Sequence, residues 1–309
     1  MKTVIVTGAN SGLGLHTSKH LLQRGFAVVL ACRNLQKARQ AQKWLQKKTA
    51  KYQITQQHIT IAQLDLASFG SIRKFCKSLP TNNLYGIICN AGIAYAAPTR
   101  FTQDGVEETF GVNHLGHFLM VNLLLNQAEC LQRIAVVASD AHNPKIQRHF
   151  PPPCFDKITD LAYPNDTHIT QWEKEGSLRY ANSKLCNVLF TYQLEQELKK
   201  THRKHVLVNA FNPGFIPGTG LARNTTPLTH FMWFHVLPRF RRFSKTIRTA
   251  NQSGQALARL MDEVTVSGKY FDGHQIKPSS PASYNAVWAQ RLWWRSQELA
   301  HLKINEQIE

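Results

Sequence analysis

A strand that runs straight into a glycine turn, and from there straight into a helix, constrains this chain more than any other feature. Thr3-Val4-Ile5-Val6 is a short β-like run; Thr7-Gly8-Ala9-Asn10-Ser11-Gly12-Leu13-Gly14 follows at once, and helical periodicity begins at Leu13. Glycines allow a tight turn and a close approach of backbone to ligand, while a helix N-terminus presents free N–H groups and a positive dipole end. That combination suits a pyrophosphate. A glycine-rich turn without a ligand is the plainer alternative, and the flanking strand and helix weigh against it.

The same rhythm continues along the chain. Runs near 27–31, 58–64, 84–89 and 132–138 are nearly continuous in Val, Ile and Leu, the pattern of strands buried on both faces. Leu13 to Arg24 and Leu35 to Lys48 have helical periodicity and few breakers. Strand and helix in alternation imply right-handed crossovers and a parallel sheet. Further strands at 205–211 and 268–271 complete the expected fold, an α/β, Rossmann-like doubly wound parallel sheet of about seven strands with helices on both faces. It forms a single domain. Residues 1–275 carry this alternation, and 276–309 form a helical extension packed on it through Val287, Trp288, Leu292, Trp293 and Leu299.

Two stretches break the rhythm. Residues 140–178 are rich in Pro, His and Asp, and a connection of that length is usually functional. Residues 213–248 hold Pro213, Gly214, Pro217, Gly218 and Gly220, then an aromatic stretch from Phe231 to Phe243 interleaved with Arg239, Arg241 and Arg242 and followed by Lys245 and Arg248. This second stretch is the expected substrate lid.

Composition narrows the setting. The opening residues lack the apolar region and cleavage site of a signal peptide, and no segment has 18 or more uninterrupted apolar residues, so a cytoplasmic protein is expected. Six cysteines show neither a C-x-x-C pair nor a zinc-like spacing, which points to reduced cysteines, most of them in the core, and to no metal. The formal charge of +18 attracts phosphates, anionic lipid or nucleic acid without naming a partner. With no zinc-finger, RNP or KH pattern, a specific nucleic-acid function is not expected.

At the end of the second apolar run, where an NAD enzyme usually places an acid for the ribose 2′-OH, stand Ala31-Cys32-Arg33-Asn34. The planar fork of Arg33 would pair with a 2′-phosphate, which favours NADP; a solvated surface arginine is the alternative. Asp65 lies where the adenine region is expected, or caps the helix beginning near Ser68. Tyr180 and Lys184 stand four apart in Tyr180-Ala181-Asn182-Ser183-Lys184, just after a boundary expected at Gly176-Ser177. On one helix face the ammonium would lower the phenol's pKa and make an acid/base catalyst.

Taken in order, the Thr7 to Gly14 turn, Asp65-Leu66, Asn90-Ala91-Gly92, Asn113, Ser139, Tyr180 to Lys184 and Pro213-Gly214 resemble the short-chain dehydrogenase/reductase family over about residues 1–275. Asn113-His114-Leu115-Gly116-His117-Phe118 and Ser183-Lys184-Leu185-Cys186-Asn187 look like its branch with retinol dehydrogenases and light-dependent protochlorophyllide reductases. The resemblance implies that Gly8, Asn10, Ser11, Gly12, Leu13, Gly14, Arg33, Asp65, Leu66, Asn90, Ala91, Gly92, Pro213 and Gly214 hold NADP(H) together with Tyr180 and Lys184. It implies that Tyr180 exchanges a proton with a substrate oxygen, that Ser139 bonds the same oxygen, and that Lys184 lowers the tyrosine pKa and holds the nicotinamide ribose. Asn113 would anchor a water linking Lys184 to solvent. Each has a bland alternative: Ser139 as a strand-end cap, Asn113 as a cap of the helix leading to Asn122, Lys184 as a solvated lysine. Asn90 is expected to brace the sheet, and His114 and His117 to pack.

The lid carries Phe215, Ile216, Leu221, Leu228, Phe231, Met232, Trp233, Phe234, Val236 and Leu237, which favours a bulky apolar carbonyl or alcohol, retinoid-, steroid- or polyketide-like. Its basic residues suit peripheral contact with an anionic membrane. Reduction of a C=C bond as in protochlorophyllide reductase is an alternative, weakened because Phe215 follows Pro213-Gly214 where the pigment enzyme has a cysteine. A non-catalytic NADP-binding sensor or scaffold is another, and the complete Asn, Ser, Tyr and Lys set opposes it. Members of the family it resembles often pair through the helices that hold Asn113 and Tyr180, while the basic lid and the Trp-rich tail of this chain could alter that, so a homodimer is one open alternative.

Overall fold

The computed structural model describes residues 1–52, 54–94, 98–147, 150–155, 158–165, 171–217 and 247–308. Seven strands fall on the apolar runs: β1 Thr3–Thr7, β2 Ala27–Cys32, β3 Ile59–Gln63, β4 Leu84–Cys89, β5 Arg133–Val137, β6 Leu207–Asn212 and β7 Tyr270–Asp272. An eighth, β8 Gln275–Ile276, pairs antiparallel with β7, so the sheet has one strand more than expected and is mixed at that edge. Two exposed residues carry too short a pattern to mark a strand.

The order is β3-β2-β1-β4-β5-β6-β7-β8. β1 thus lies between β2 and β4, and the winding direction reverses beside it. A crevice opens at the carboxyl ends of the strands at such a reversal. Side chains alternate across each strand and so feed two cores. Ile5, Val29, Ile87, Ile134 and Val208 pack with α3 Phe69–Ser78, α5 Gly116–Gln127, α7 Trp172–Lys199 and the C-terminal helix Ala286–Leu299. Val4, Val28, Leu30, Ile88 and Ala135 pack on the other face with α1 Gly12–Gln23, α2 Leu35–Thr49 and the helix Ala250–Ala258.

α5 is apolar all round, and every residue from Gly116 to Leu125 is buried. Such a helix needs cover on its outer side as well as against the sheet. The C-terminal helix supplies it: Trp293 meets Phe118 of α5 edge-on at 5.1 Å and stacks on Phe190 of α7 at 6.1 Å. The extension therefore covers part of the α5 and α7 surface on which pairing was an open alternative.

α5 is preceded by a three-residue helix, α4 Glu108–Phe110, and a π-helical turn, Gly111–Leu115. The 140–178 connection holds a 3-10 turn, Asp140–His142, a short helix, α6 Ile158–Ala162, and the first turns of α7. α7 begins at Trp172, upstream of Gly176-Ser177, so that pair is no helix boundary. Ser177 is accommodated within it by returning its hydroxyl to the Glu173 carbonyl at 2.8 Å.

Most of the expected lid, 218–246, lies outside the described residues, including Gly218, Gly220 and the aromatic and basic stretch. Its two ends are held together at Phe215 and Ile247 by a β-bridge, and Arg248 pairs with Asp272 at 2.7 Å.

Candidate active site

Among the described residues, those singled out for the cofactor and the proton transfer lie at or beyond the carboxyl end of a strand, or on the helices α1, α5 and α7 and the turns beside them. Gly8 and Gly12 adopt φ of +64° and +52°, which disfavours any residue with a side chain. A Cβ on Gly14 would come within 2.6 Å of the Gly8 carbonyl oxygen and of Asn90 Nδ2. The turn is thus closed against side chains from within. Ser11 caps α1 without a side-chain hydrogen bond, and the first turn of α1 carries no acid. A pyrophosphate fits this cradle of N–H donors with a positive helix end behind it. Asn10 and Leu13 are half-buried along it, and Ser11 is exposed at its mouth.

The turn is braced from behind. Thr7 Oγ1 accepts the N–H groups of Asn90 at 2.8 Å and Ala91 at 2.9 Å, and Asn90 Nδ2 donates to the Thr7 carbonyl at 2.7 Å. Asn90 therefore does brace the sheet. Gly92, next along, faces Asn113 and Lys184: a Cβ there would lie 3.3 Å from Asn113 Oδ1 and 3.6 Å from Lys184 Nζ.

Arg33 is exposed immediately after β2, with no ion pair to it among the described residues. Asn34, not Arg33, caps α2, accepting from Lys37 N at 2.9 Å. Asp65 does not cap α3; Ser68 does, and Asp65 Oδ1 instead receives the Ala67 N–H at 3.0 Å, with Leu66 buried between them. Gly214 has φ of +74°, its N–H bonded to Asn212 Oδ1 at 3.1 Å, and the Pro213 carbonyl accepts from Ser253 Oγ at 2.6 Å.

Tyr180, Lys184, Asn113 and Ser139 converge. Tyr180 is 8% exposed and Lys184 4%, so this lysine is not solvated. Lys184 Nζ sits 5.5 Å from the centre of the Tyr180 ring and donates to the Val137 carbonyl at 3.1 Å. Asn187, one turn on, donates to the same oxygen at 3.0 Å and helps to anchor α7 on β5. Ser139 is hydrogen-bonded to Tyr180 and also accepts the Ala141 N–H at 3.2 Å, so it caps the strand end and reaches the tyrosine together. Asn113 lies inside the π-helical turn and caps nothing. Its Oδ1 accepts from Ile93 N at 2.8 Å, and its Nδ2 donates to the Ile93 carbonyl and to Ser183 Oγ, both at 2.9 Å.

Burial dominates the electrostatics. Loss of water pushes the Tyr180 phenol up to about 12 against the opposing hydrogen bond from Ser139, and pushes the Lys184 ammonium down to about 8. The tyrosine thus moves opposite to the lowering expected from its lysine neighbour, because desolvating a phenolate outweighs the hydrogen bond from Ser139. The pair holds a neutral proton donor beside an amine that gains and loses its proton close to neutral pH.

The sequence pattern of the short chain dehydrogenases matches residues 2–147. Retinol dehydrogenase 13 of Homo sapiens is 37% identical over 98% of this chain and 85% of its own length. The chain belongs to the short-chain dehydrogenase family. Within it, the chain is in the retinol-dehydrogenase-like branch: retinol dehydrogenase 14 of Mus musculus is also similar, at 34% identity over 94% of this chain and 84% of its own length. Among solved structures, an uncharacterised protein from Mycobacterium Paratuberculosis matches 97% of this chain and 94% of its own, with 27% identity and a TM-score of 0.71. The actinorhodin polyketide ketoreductase shares the fold, at 18% identity over 88% of this chain and 95% of its own and a TM-score of 0.60.

Further residues of this short-chain dehydrogenase meet the candidate site, some of them quoted in the sequence motifs without a role there. The Cys32 thiol sits against the N–H groups of Ala9 and Asn10 beneath the glycine turn. His142 is fully buried, with Nδ1 against the Ser139 carbonyl and Nε2 accepting the Ser280 N–H at 3.1 Å, which ties the C-terminal extension to the candidate site. Phe150, from the 140–178 connection, stands 6.1 Å from the Tyr180 ring. His114 is bonded through Nε2 to Ser296 at 2.9 Å and packs among Phe110, Phe118 and Phe190. For His142 and Phe150 the sequence signal was the long 140–178 connection that folds back on the site, and His114 packs as expected.

Proposed function

We propose that this protein is an NADP(H)-dependent oxidoreductase that interconverts a carbonyl and an alcohol on a bulky apolar molecule, with Tyr180 as the general acid/base. The observation that carries this reading is the buried meeting of Tyr180 with Ser139 on one side and Lys184 on the other, beside the glycine turn. The nicotinamide group, when bound, supplies or takes the hydride. Gly8 to Gly14 hold the pyrophosphate, and Asn90 to Gly92 back the nicotinamide half. In reduction Tyr180 passes its proton to the substrate oxygen while Ser139 Oγ steadies the same oxygen as charge develops on it. Lys184 holds the ribose and, with a pKa of about 8, exchanges protons readily near neutral pH. Asn113, fixed by Ile93 and Ser183, anchors the water through which Lys184 meets solvent.

Arg33 and the absence of an acid after β2 favour NADP over NAD. Arg33→Asp is expected to weaken NADPH binding by roughly tenfold or more while NADH binding changes little, as read by fluorescence titration. The retinol dehydrogenase relatives and the apolar residues of 213–248 make all-trans-retinal the first compound to test. The basic residues of that segment favour peripheral contact with anionic membrane from the cytoplasmic side. The deciding experiment follows NADPH consumption over a panel of bulky aldehydes, ketones and quinones. Failure to bind NADPH at all would refute the reading.

A further inference from the structure

One buried side chain joins the glycine turn to the backbone of Asn113. His117 Nε2 lies 2.9 Å from Thr7 Oγ1, and His117 Nδ1 lies 3.1 Å from the Asn113 carbonyl oxygen. The ring is 1% exposed. A carbonyl only accepts, so Nδ1 carries the proton. The two amide N–H groups of Asn90 and Ala91 fill the lone pairs of Thr7 Oγ1, which leaves its one proton to donate. Its acceptor is His117 Nε2, since the other candidate, the Ile88 carbonyl, stands at 3.3 Å. Donor and acceptor are thus matched at every polar atom of both side chains, in one tautomer of a neutral imidazole.

The position has a mechanical meaning. Asn113 sits in a π-helical turn that runs directly into the helix carrying His117, a local departure from α-helical bonding. Ile93 supports its side chain; His117 supports its carbonyl. Burial and the nearby Lys184 charge keep the imidazole uncharged, with a pKa pushed down to about 4.

We propose that His117 is a positioning residue, a neutral strut that transmits the state of the dinucleotide turn at Thr7 to the turn that holds Asn113. The inference rests on the nucleotide reading of the glycine turn given above. When a pyrophosphate orders the turn, the Thr7 hydroxyl and the imidazole hold Asn113 in the register it needs beside Lys184.

ADP tests this, because it carries a pyrophosphate and lacks the nicotinamide ribose that would reach Lys184. Hydrogen exchange is measured with and without saturating ADP at the amides of 8–14 and 111–116. In the unmodified protein, ADP is expected to slow exchange at both. In His117→Leu the slowing at 8–14 persists and that at 111–116 is lost, a change of roughly tenfold in exchange rate for one broken buried link. His117→Gln keeps a polar side chain that reaches only one of the two partners, and it carries the test if the leucine variant does not fold. Leu124→Ala, a core change on the same helix, serves as the control: it lowers stability and leaves the transmission in place. Equal slowing at 111–116 in the His117 variants and the unmodified protein, or none at 111–116 in the unmodified protein, overturns the strut. No slowing at 8–14 in the unmodified protein overturns the nucleotide reading instead.

Discussion

Tyr180 and Lys184 are each driven toward their neutral forms, and this sets what each can do. Tyr180→Phe removes the hydroxyl proposed to move the proton and leaves the glycine turn untouched. Turnover of an active carbonyl substrate is expected to fall roughly a thousandfold with NADPH affinity unchanged within about twofold, a comparison of kcat with a binding titration. Lys184 is charged below about 8 and neutral above it. If its charge supports turnover, kcat/KM for NADPH declines as pH rises through about 8 in the unmodified protein, whereas Lys184→Met gives a low profile without that ionisation. A profile with the same break in both proteins would assign it to another group. Arg33 is the contrasting case at this scale: exposed, its meaning comes from its place after β2 and from the acid that is missing there.

Among the elements, strands were legible where burial on both faces demands uninterrupted Val, Ile and Leu, which is why β1 to β6 were expected close to where they stand. β8 escaped, because two exposed residues that pair with β7 owe their conformation to that partner. The start of α7 escaped for a similar reason: Gly176 and Ser177 look like a boundary, yet the helix runs through them from Trp172, and from Gly176 onward it settles against the body. The C-terminal helix was expected from its Trp and Leu spacing, but not which side chains it covers. Trp293 is 6% exposed between Phe118 and Phe190. Trp293→Ala is expected to cost about 3–5 kcal/mol of stability by urea unfolding, through the cavity it leaves. A loss below about 1 kcal/mol would mean that α5 and α7 close over the gap unaided.

Across the whole molecule, buried uncharged histidines make stability depend on acid. Burial pushes His114 down to about 3 and His117 to about 4 from an ordinary 6.5, and it lowers His142 as well. The unfolded chain binds protons on these rings below about pH 6.5 while the folded chain does not, so their contribution is complete above that value and is lost as pH falls toward about 4. The urea midpoint should therefore drop steadily from about pH 7 to about pH 4.5; a flat midpoint would show that these rings are protonated or exposed in the native state.

What could be known from the order of residues alone was the kind of fold and the kind of chemistry. Alternating buried strands and helices and a glycine turn after the first strand express local rules, a turn that only glycine permits and apolar spacing that burial demands, whereas Asn113, Ser139, Tyr180 and Lys184 stood out through the resemblance to the family. Tertiary structure decided how these parts act on one another. It turned the tyrosine pKa upward, since only the packed chain removes its water. It also made Thr7, Cys32, His117 and His142 part of the candidate site, since a side chain whose role is to accept or donate one hydrogen bond acquires that role only when folding brings its partner within about 3 Å.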